Sequence, residues 1–407
     1  MIETGSFEKA TYAGKGGPLF RLALATNLLT VLTLGIYRFW GKTRIRRFIW
    51  SATRFQGDAF EYTGTGLEKF LGFLVAMVFL AVYLGIVNLL LFFAGIRFVL
   101  EPTTEAELTM QSTVIFVSFL ALLPWMFFAE YRSRRYKLAR TRFRGIRFGM
   151  ESQALGYVLR ALGHTLLTTV TLGLLLPRQT FGLAKYMTDR SYYGDARFVQ
   201  SGRWTALYGA MKHVFIGAVI VIAAIVMTFV MAGMNPSDPA GMTPWAILPV
   251  VFGYVWLLIG FVYYRVQSFA YLMSNTTLEG EVLFASNPSL KTILTKVIVG
   301  TILLVIAAAV VLLGYGLIVA GLFASLGEGA EDIGIVRLVI IAGLYLLLLA
   351  ALSAGALALI THPVIAHIVA TSSVANAEAL SRVRQRAFDK GADADGFADA
   401  LDIGGAI

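Results

Sequence analysis

The chain alternates between long stretches without any charged residue and shorter stretches rich in lysine and arginine. An α-helix needs about 20 apolar residues to cross the hydrocarbon core of a bilayer. Six uncharged stretches reach this length. We therefore predict a polytopic α-helical membrane protein with six transmembrane spans, at residues 70–96, 108–129, 213–234, 244–264, 297–323 and 338–363.

Two further apolar segments, residues 22–37 and 161–176, are shorter and contain polar residues. If both crossed the membrane, basic loops would lie on both of its faces, against the tendency of lysine and arginine to stay cytoplasmic. If neither crosses, loops 38–69, 130–160, 177–212 and 265–296 all face the cytoplasm with 7, 9, 6 and 3 basic residues. The outer connections then hold seven acidic residues and two arginines. We predict two re-entrant or interfacial helices and cytoplasmic termini, with eight full spans as the alternative.

The two short segments share a threonine-rich pattern, since residues 26–35 and 164–173 align without a gap at an offset of 138. A second element recurs around Gly57, Gly145, Gly194 and Gly280, with aromatic and hydroxyl-bearing residues on both sides. Glycine tolerates the positive φ of a tight two-residue turn, so each copy predicts a β-hairpin. The hairpins, with an added strand near Thr11, are expected to form a small cytoplasmic β-layer.

These recurrences predict an internal duplication. Residues 10–149 and 150–284 would each contain a short helix, two spans and two hairpins, and the even number of crossings makes the repeats parallel. Two additional transmembrane helices follow in residues 285–374. Residues 375–407 are predicted to be a cytoplasmic, partly disordered tail, because their second half is rich in glycine, alanine and aspartate.

Composition supports a membrane protein. The chain is 57% hydrophobic and 14% charged, with a mean hydropathy of +0.73, whereas soluble domains are about a quarter charged. It has no cysteine, which excludes disulfides, thiolate nucleophiles and cysteine-ligated metals. Its first residues do not form a cleavable secretory signal, so we expect the N-terminus to remain in the cytoplasm.

One motif resembles a known family. Residues 33–40 read Thr-Leu-Gly-Ile-Tyr-Arg-Phe-Trp, and a basic stretch and the hairpin around Gly57 follow them. This combination is similar to the YjgN-like bacterial membrane family, a family of unknown function. The resemblance extends to about Ala375. It implies location in the bacterial cytoplasmic (inner) membrane, and it assigns no activity to particular residues.

The threonine-rich segments supply the candidate site. On a helix, their polar residues fall on one face, and broken helices with such faces form midplane sites in many transporters. The candidate pathway-lining residues are Thr26, Asn27, Thr30, Thr33, Tyr37, His164, Thr165, Thr168 and Thr171. Alternatively, the hydroxyls bond to carbonyls of their own helix and the small residues assist packing.

The net charge of +10 comes from the predicted cytoplasmic loops. Basic residues next to a span attract anionic lipid headgroups, which explains them more simply than nucleic acid does. The candidate lipid contacts are Arg44, Arg46, Arg47, Arg134, Arg135, Lys137 and Arg140. Assembly into a homo-oligomer, or binding to a partner membrane protein, also stays open as an alternative.

No hydrolase or phosphate-loop motif is present, and we expect neither an enzyme nor a bound cofactor. His362 and His367 are five residues apart, a spacing that does not place two metal ligands on one helical face, so no metal site is expected. The leading hypothesis is transport or channel-like handling of a small or lipidic solute. The rival is a non-transporting scaffold that binds lipid or partner proteins through its basic loops.

The predicted topology can be tested because the chain has no cysteine of its own. Single cysteines introduced beside Arg54 and beside Arg190 should both react with an impermeant maleimide only from the cytoplasmic side, in cells compared with inverted vesicles. Labelling of the two positions from opposite sides would show that a short segment crosses the membrane.

Overall fold

The computed structural model describes residues 6–234, 244–324 and 334–387. Within them, six helices are long and apolar enough to cross a membrane, as predicted. They are α3 (Gly66–Phe93), α4 (Glu105–Ala139), α7 (Tyr208–Met234), α8 (Pro244–Ser274), α9 (Leu290–Ala324) and α10 (Ile335–Ala356). A π-helical turn, Leu357–Thr361, joins α10 to α11 (His362–Ala370).

Four shorter helices form two hairpins. The first hairpin is α1 (Gly16–Leu32) with α2 (Arg38–Ala52), and the second is α5 (Ala154–Val170) with α6 (Leu176–Thr188). At 1.5 Å per residue, α1 and α5 extend about 25 Å and the 35-residue α4 extends about 50 Å. Each short hairpin returns to the strand layer from which it started. The depth to which the two tips enter lipid stays a prediction.

The strands form antiparallel hairpins at all four predicted places. These are β3 (Thr53–Phe55) with β4 (Asp58–Tyr62), β5 (Thr141–Phe143) with β6 (Ile146–Met150), β7 (Ser191–Tyr193) with β8 (Ala196–Gln200), and β9 (Thr276–Leu278) with β10 (Val282–Ser286). Glycines with positive φ occupy the turns, as expected. The strand predicted near Thr11 is β2 (Thr11–Tyr12).

The prediction of a small β-layer was wrong in one respect, because the eleven strands form a nearly closed ring. The N-terminal strand β1 (Glu8–Lys9) pairs with β11 (Ser372–Ala375), and β2 pairs with β3. Ala10 lies between β1 and β2 and donates its N–H to the Ser372 carbonyl at 3.0 Å. The hairpin pattern could not reveal this, because β11 and β1 come from opposite ends of the chain.

A serine or threonine hydroxyl marks every point where a helix leads into the ring. In each case it belongs to the first residue of the strand and donates to the carbonyl four residues earlier, at 2.7–3.0 Å. The last carbonyls of a helix have no backbone partner, so this bond satisfies one of them as the chain becomes extended. The five residues are Thr53, Thr141, Ser191, Thr276 and Ser372.

Apolar residues fill the inner face of the ring. Where neighbouring hairpins pair, large side chains stand directly opposite each other: Phe60 and Phe143, Phe148 and Tyr193, Phe198 and Leu278, Phe284 and Val374. Such cross-strand pairs stabilise a sheet and define its register. The recurring aromatic positions in the sequence therefore form the core of the ring.

The beginning of the predicted tail belongs to the ring. Ala375 is in β11, and the 3₁₀ turn Ala377–Arg382 packs with Leu380 against the aromatic core. Residues 388–407 lie outside the described part of the chain. The division into two repeats, two added spans and a tail stays a prediction, although α9 and α11 also adjoin strands of the same ring.

Closure of the ring can be tested by cross-linking, since Lys9 lies opposite Ser373 and paired antiparallel Cα atoms are about 5 Å apart, within disulfide range. The double variant Lys9→Cys/Ser373→Cys should form an intramolecular disulfide, detected by proteolysis and non-reducing electrophoresis. Lys9→Cys/Ala285→Cys is the control, because Ala285 pairs with the other side of Ser373. Failure of the first pair to cross-link would indicate an open sheet.

Candidate functional site

A chamber of about 780 Å³ lies where the helices meet the ring. Its wall combines residues from the ends of α2, α4, α6, α8 and α11 with residues at the mouth of the ring. Most of the lining is apolar, and its charged members all come from α4. The lining residues include Ile49, Trp50, Phe60, Leu138, Phe148, Met187, Phe269, Ile365, Glu130, Arg134 and Lys137.

The charged wall is a short network at the end of α4. Glu130 and Arg134 are one helical turn apart, and Arg265 of α8 is close enough to attract the Glu130 carboxylate. The Arg134 side chain lines the chamber. Its surface is accessible from the chamber, and protein atoms surround the chamber at this point. Among the residues that line the chamber, Arg134 and Lys137 outnumber Glu130, which gives this wall a positive balance.

Tyr157 of α5 faces Glu130 of α4. Its side chain is fully buried, and its hydroxyl lies close enough to the Glu130 carboxylate to interact with it electrostatically. Burial first, and then the negative charge of Glu130, raise the pKa of Tyr157 well above its ordinary value of 10. The phenol therefore stays protonated beside the carboxylate.

The chamber adjoins the lumen of the ring, a void of about 260 Å³. Thr53, Phe60, Phe148 and Ile368 line both spaces. Burial raises the pKa of Tyr193 in the ring to about 12, so its hydroxyl remains a donor, here to the Phe143 carbonyl at 3.0 Å.

The C-terminal segment covers the opposite end of the lumen. Leu380 lines the lumen itself. Beyond it, the Arg384 N–H donates to the Asp195 carboxylate at 2.8 Å, and Gln385 accepts a bond from the Arg147 N–H at 2.8 Å. Arg382 also pairs with Glu281. The segment therefore borders the lumen at the end opposite the chamber.

The two predicted threonine faces lie in different hairpins, α1 beside α2 and α10, and α5 beside α4 and α6. Thr26, Asn27 and Thr30 line a second cavity, of about 360 Å³, between α1, α2 and α10. In the other hairpin, Thr165 accepts a bond from Gln179 at 3.0 Å, and His164 packs against Gly182. Thr168 has a buried hydroxyl.

Thr33 and Thr171 build the tips of the two hairpins. Each donates its hydroxyl to the carbonyl four residues earlier, at 2.7 Å. Each hydroxyl also accepts the N–H of the residue four positions later, Tyr37 or Leu175. The repeated pattern at these two positions therefore reflects a shared turn, in which the following leucine and glycine have positive φ.

The candidate lipid contacts occupy several environments. Arg44 and Arg47 are exposed. Arg46 and Arg135 are buried, and they donate to the Tyr62 hydroxyl and the Met150 carbonyl. Arg140 pairs with Glu68 at 3.1 Å, while Arg134 and Lys137 line the chamber. Among the described residues, no group of three His, Cys, Asp or Glu side chains is arranged for metal binding.

Sequence reasoning did not identify the chamber, because its lining comes from five helices and the ring. One feature of the sequence could have pointed to the chamber. Glu130 and Arg134 are charged residues four positions apart, directly after a long uncharged span.

The helices and the ring define a polytopic α-helical membrane protein. A family model described as "Bacterial protein of unknown function (DUF898)" matches residues 8–320, and the chain belongs to this family. A segment of 77 residues, 19% of this chain and 20% of the relative, is 34% identical to inner membrane protein YjgN of Salmonella typhimurium. Over 145 residues, 36% of this chain and 31% of the relative, it is 26% identical to inner membrane protein YjgN of Escherichia coli O157:H7.

The aligned parts therefore span a fifth to a third of these curated relatives. Their names and the six apolar helices support a multi-pass inner membrane protein. No solved structure matches the chain.

The contact between Tyr157 and Glu130 yields a stability prediction. Tyr157→Phe should lower the free energy of unfolding by about 1–3 kcal/mol, because it leaves a largely buried carboxylate without the polar group beside it. Thermal unfolding in detergent or nanodiscs measures the effect. Tyr208→Phe is the control, since that hydroxyl donates to Leu174 in an exposed position. Equal melting temperatures for Tyr157→Phe and wild type would contradict the assigned contact.

Proposed function

We propose that the protein binds a small anionic amphiphile in the chamber at the cytoplasmic face of the membrane, as part of transport or other handling of a lipidic solute. The observation that carries the proposal is the chamber wall, which is mostly apolar and has a positive cluster on one side. Apolar clefts of 300–1,000 Å³ with a few placed polar groups are typical ligand sites. The apolar wall would receive the chain of the amphiphile, and Arg134 and Lys137 its acidic group.

Charge supports a cytoplasmic ring. The loops with 7, 9, 6 and 3 basic residues contain strands β3 to β10. The connection 94–104 at the other end of α3 and α4 holds Glu101 and Arg97, and Glu105 and Glu107 follow in the first turn of α4. Lysine and arginine are enriched on the cytoplasmic side of bacterial membrane proteins. Because β1 and β11 are both in the ring, the same orientation would place both termini in the cytoplasm.

The short helical hairpins would allow a lipidic solute to reach the chamber from the bilayer. Their tips present Leu34 and Leu172, which are 93% and 94% exposed. An exposed leucine at a helical tip is favourable in hydrocarbon and unfavourable in water. We infer that the tips dip into the cytoplasmic leaflet and leave space above them between the long hairpins. A solute would then reach the chamber laterally from the bilayer.

No catalytic step is part of this proposal. The rival scaffold hypothesis draws support from the exposed side chain of Arg44, which could attract anionic headgroups without a chamber ligand. The two hypotheses differ in whether binding depends on residues inside the chamber.

Binding of 11-(dansylamino)undecanoic acid, a fluorescent single-chain carboxylate, to full-length protein in phosphatidylcholine nanodiscs tests the proposal. Arg134→Gln should weaken binding about tenfold or more, because a hydrogen bond to a charged group contributes about 1.5–3 kcal/mol. Leu138→Trp should also reduce binding, by filling the chamber. Fluorescence titration measures both effects.

Arg160→Gln is the matched control, because Arg160 is an exposed arginine on α5 that bonds to its own helix. It should bind the probe as wild type does. Equal affinity of wild type, Arg134→Gln and Leu138→Trp would remove the chamber proposal, and the scaffold hypothesis would then be favoured.

A further inference from the structure

The second cavity, between α1, α2 and α10, has a chemical character of its own. It shares no lining residue with the chamber. The polar face of α1 forms one wall with Thr26, Asn27 and Thr30, and Ser353 and Leu357 close the side toward α10. Gly41 lets α2 lie close to α1, since a Cβ there would be 3.1 Å from the Thr26 Cβ.

Three cations form the opposite wall. Arg38, Lys42 and Arg46 are spaced four residues apart on α2, so they lie along one face of the helix. The lining contains no aspartate or glutamate. Like charges at this spacing destabilise a helix, and the burial of Arg46 adds to the cost. A bound anion would offset this repulsion.

The fold holds these walls at fixed positions. Asn27 donates to the Ala350 carbonyl of α10 at 3.0 Å, which joins the hairpin to the long helix. Arg46 donates to the Tyr62 hydroxyl at 3.1 Å and lies over the Tyr62 and Trp50 rings. The base of the cationic wall is therefore anchored to the ring, while Arg38 at its upper end is exposed next to the hairpin tip.

We propose that this cavity binds a phosphate group, supplied by the headgroup of an anionic phospholipid in the cytoplasmic leaflet. Arginine and lysine provide charge-assisted donors to phosphate oxygens, and the second amide hydrogen of Asn27 provides a neutral one. The exposed apolar residues Leu32, Leu34 and Ile36 at the hairpin tip would contact the acyl chains of the same lipid. This inference does not depend on the chamber proposal.

The test uses full-length protein in nanodiscs of phosphatidylcholine, with and without phosphatidylglycerol. Phosphatidylglycerol should raise the melting temperature of wild type, and native mass spectrometry should detect the retained lipid. Lys42→Met keeps the length of the side chain and removes its charge. It should reduce lipid retention about tenfold and abolish most of the lipid-dependent rise in melting temperature.

The neutral nanodisc separates a binding role from a structural one. There, the melting temperature of Lys42→Met measures what the side chain contributes to stability in the absence of anionic lipid. A lower melting temperature in both lipids, with the lipid-dependent rise intact, would assign Lys42 a structural role and overturn the proposal. Arg44→Gln is the control, since this exposed arginine of α2 does not line the cavity.

Inorganic phosphate, added to protein in neutral nanodiscs, distinguishes the two sources of the anion. A Lys42-dependent shift with phosphatidylglycerol alone supports the headgroup. A Lys42-dependent shift with free phosphate alone would retain the anion site and overturn the lipid assignment. The proposal as a whole is overturned if neither probe gives a shift that depends on Lys42. Binding of the dansyl probe in the chamber should be unaffected by Lys42→Met, so the two proposals can fail separately.

Discussion

Hydrogen bonding between the two ends of the chain is the constraint on which the architecture depends. A strand at the edge of a sheet exposes unpaired N–H and C=O groups, which favour pairing with other chains. Here β1 and β2 occupy the gap between β11 and β3, so the ring has almost no free edge. Because the α-helices enter and leave at one end of this ring, its closure also determines how the helical hairpins are arranged around a common axis.

The arrangement around the axis creates both cavities. The chamber forms where helix ends approach the ring from several directions, and the C-terminal segment closes the lumen beneath it. The second cavity forms where a short hairpin lies against α10. In both, basic residues lie at the level where the apolar helices end. A cation there can remain near water or a headgroup and still face an apolar interior, which suits ligands with one charged and one apolar part.

Much of the fold could be predicted from local patterns. Uncharged runs defined the six long helices, and glycine with aromatic spacing located the four hairpins. That the two short segments do not cross the membrane stays a prediction from charge counting. The candidate site was less predictable. The threonine repeats at Thr33 and Thr171 encode a shared hairpin turn, and several arginines expected at the lipid surface have partners inside the protein. A periodic pattern predicts which residues share one face of a helix. It does not predict which other element packs against that face.

The sequence by itself determined which segments are apolar helices, which form the four β-hairpins and where positive charge concentrates, because these properties depend on residues within a few positions of one another. Only the tertiary structure decided that the sheet closes, that Glu130 meets Tyr157, and that Asn27 bonds to Ala350, 323 residues away. These contacts join elements from distant parts of the chain, and their geometry follows from how the whole ring is assembled. The cavities exist only between such elements, so their lining became visible only in the folded molecule.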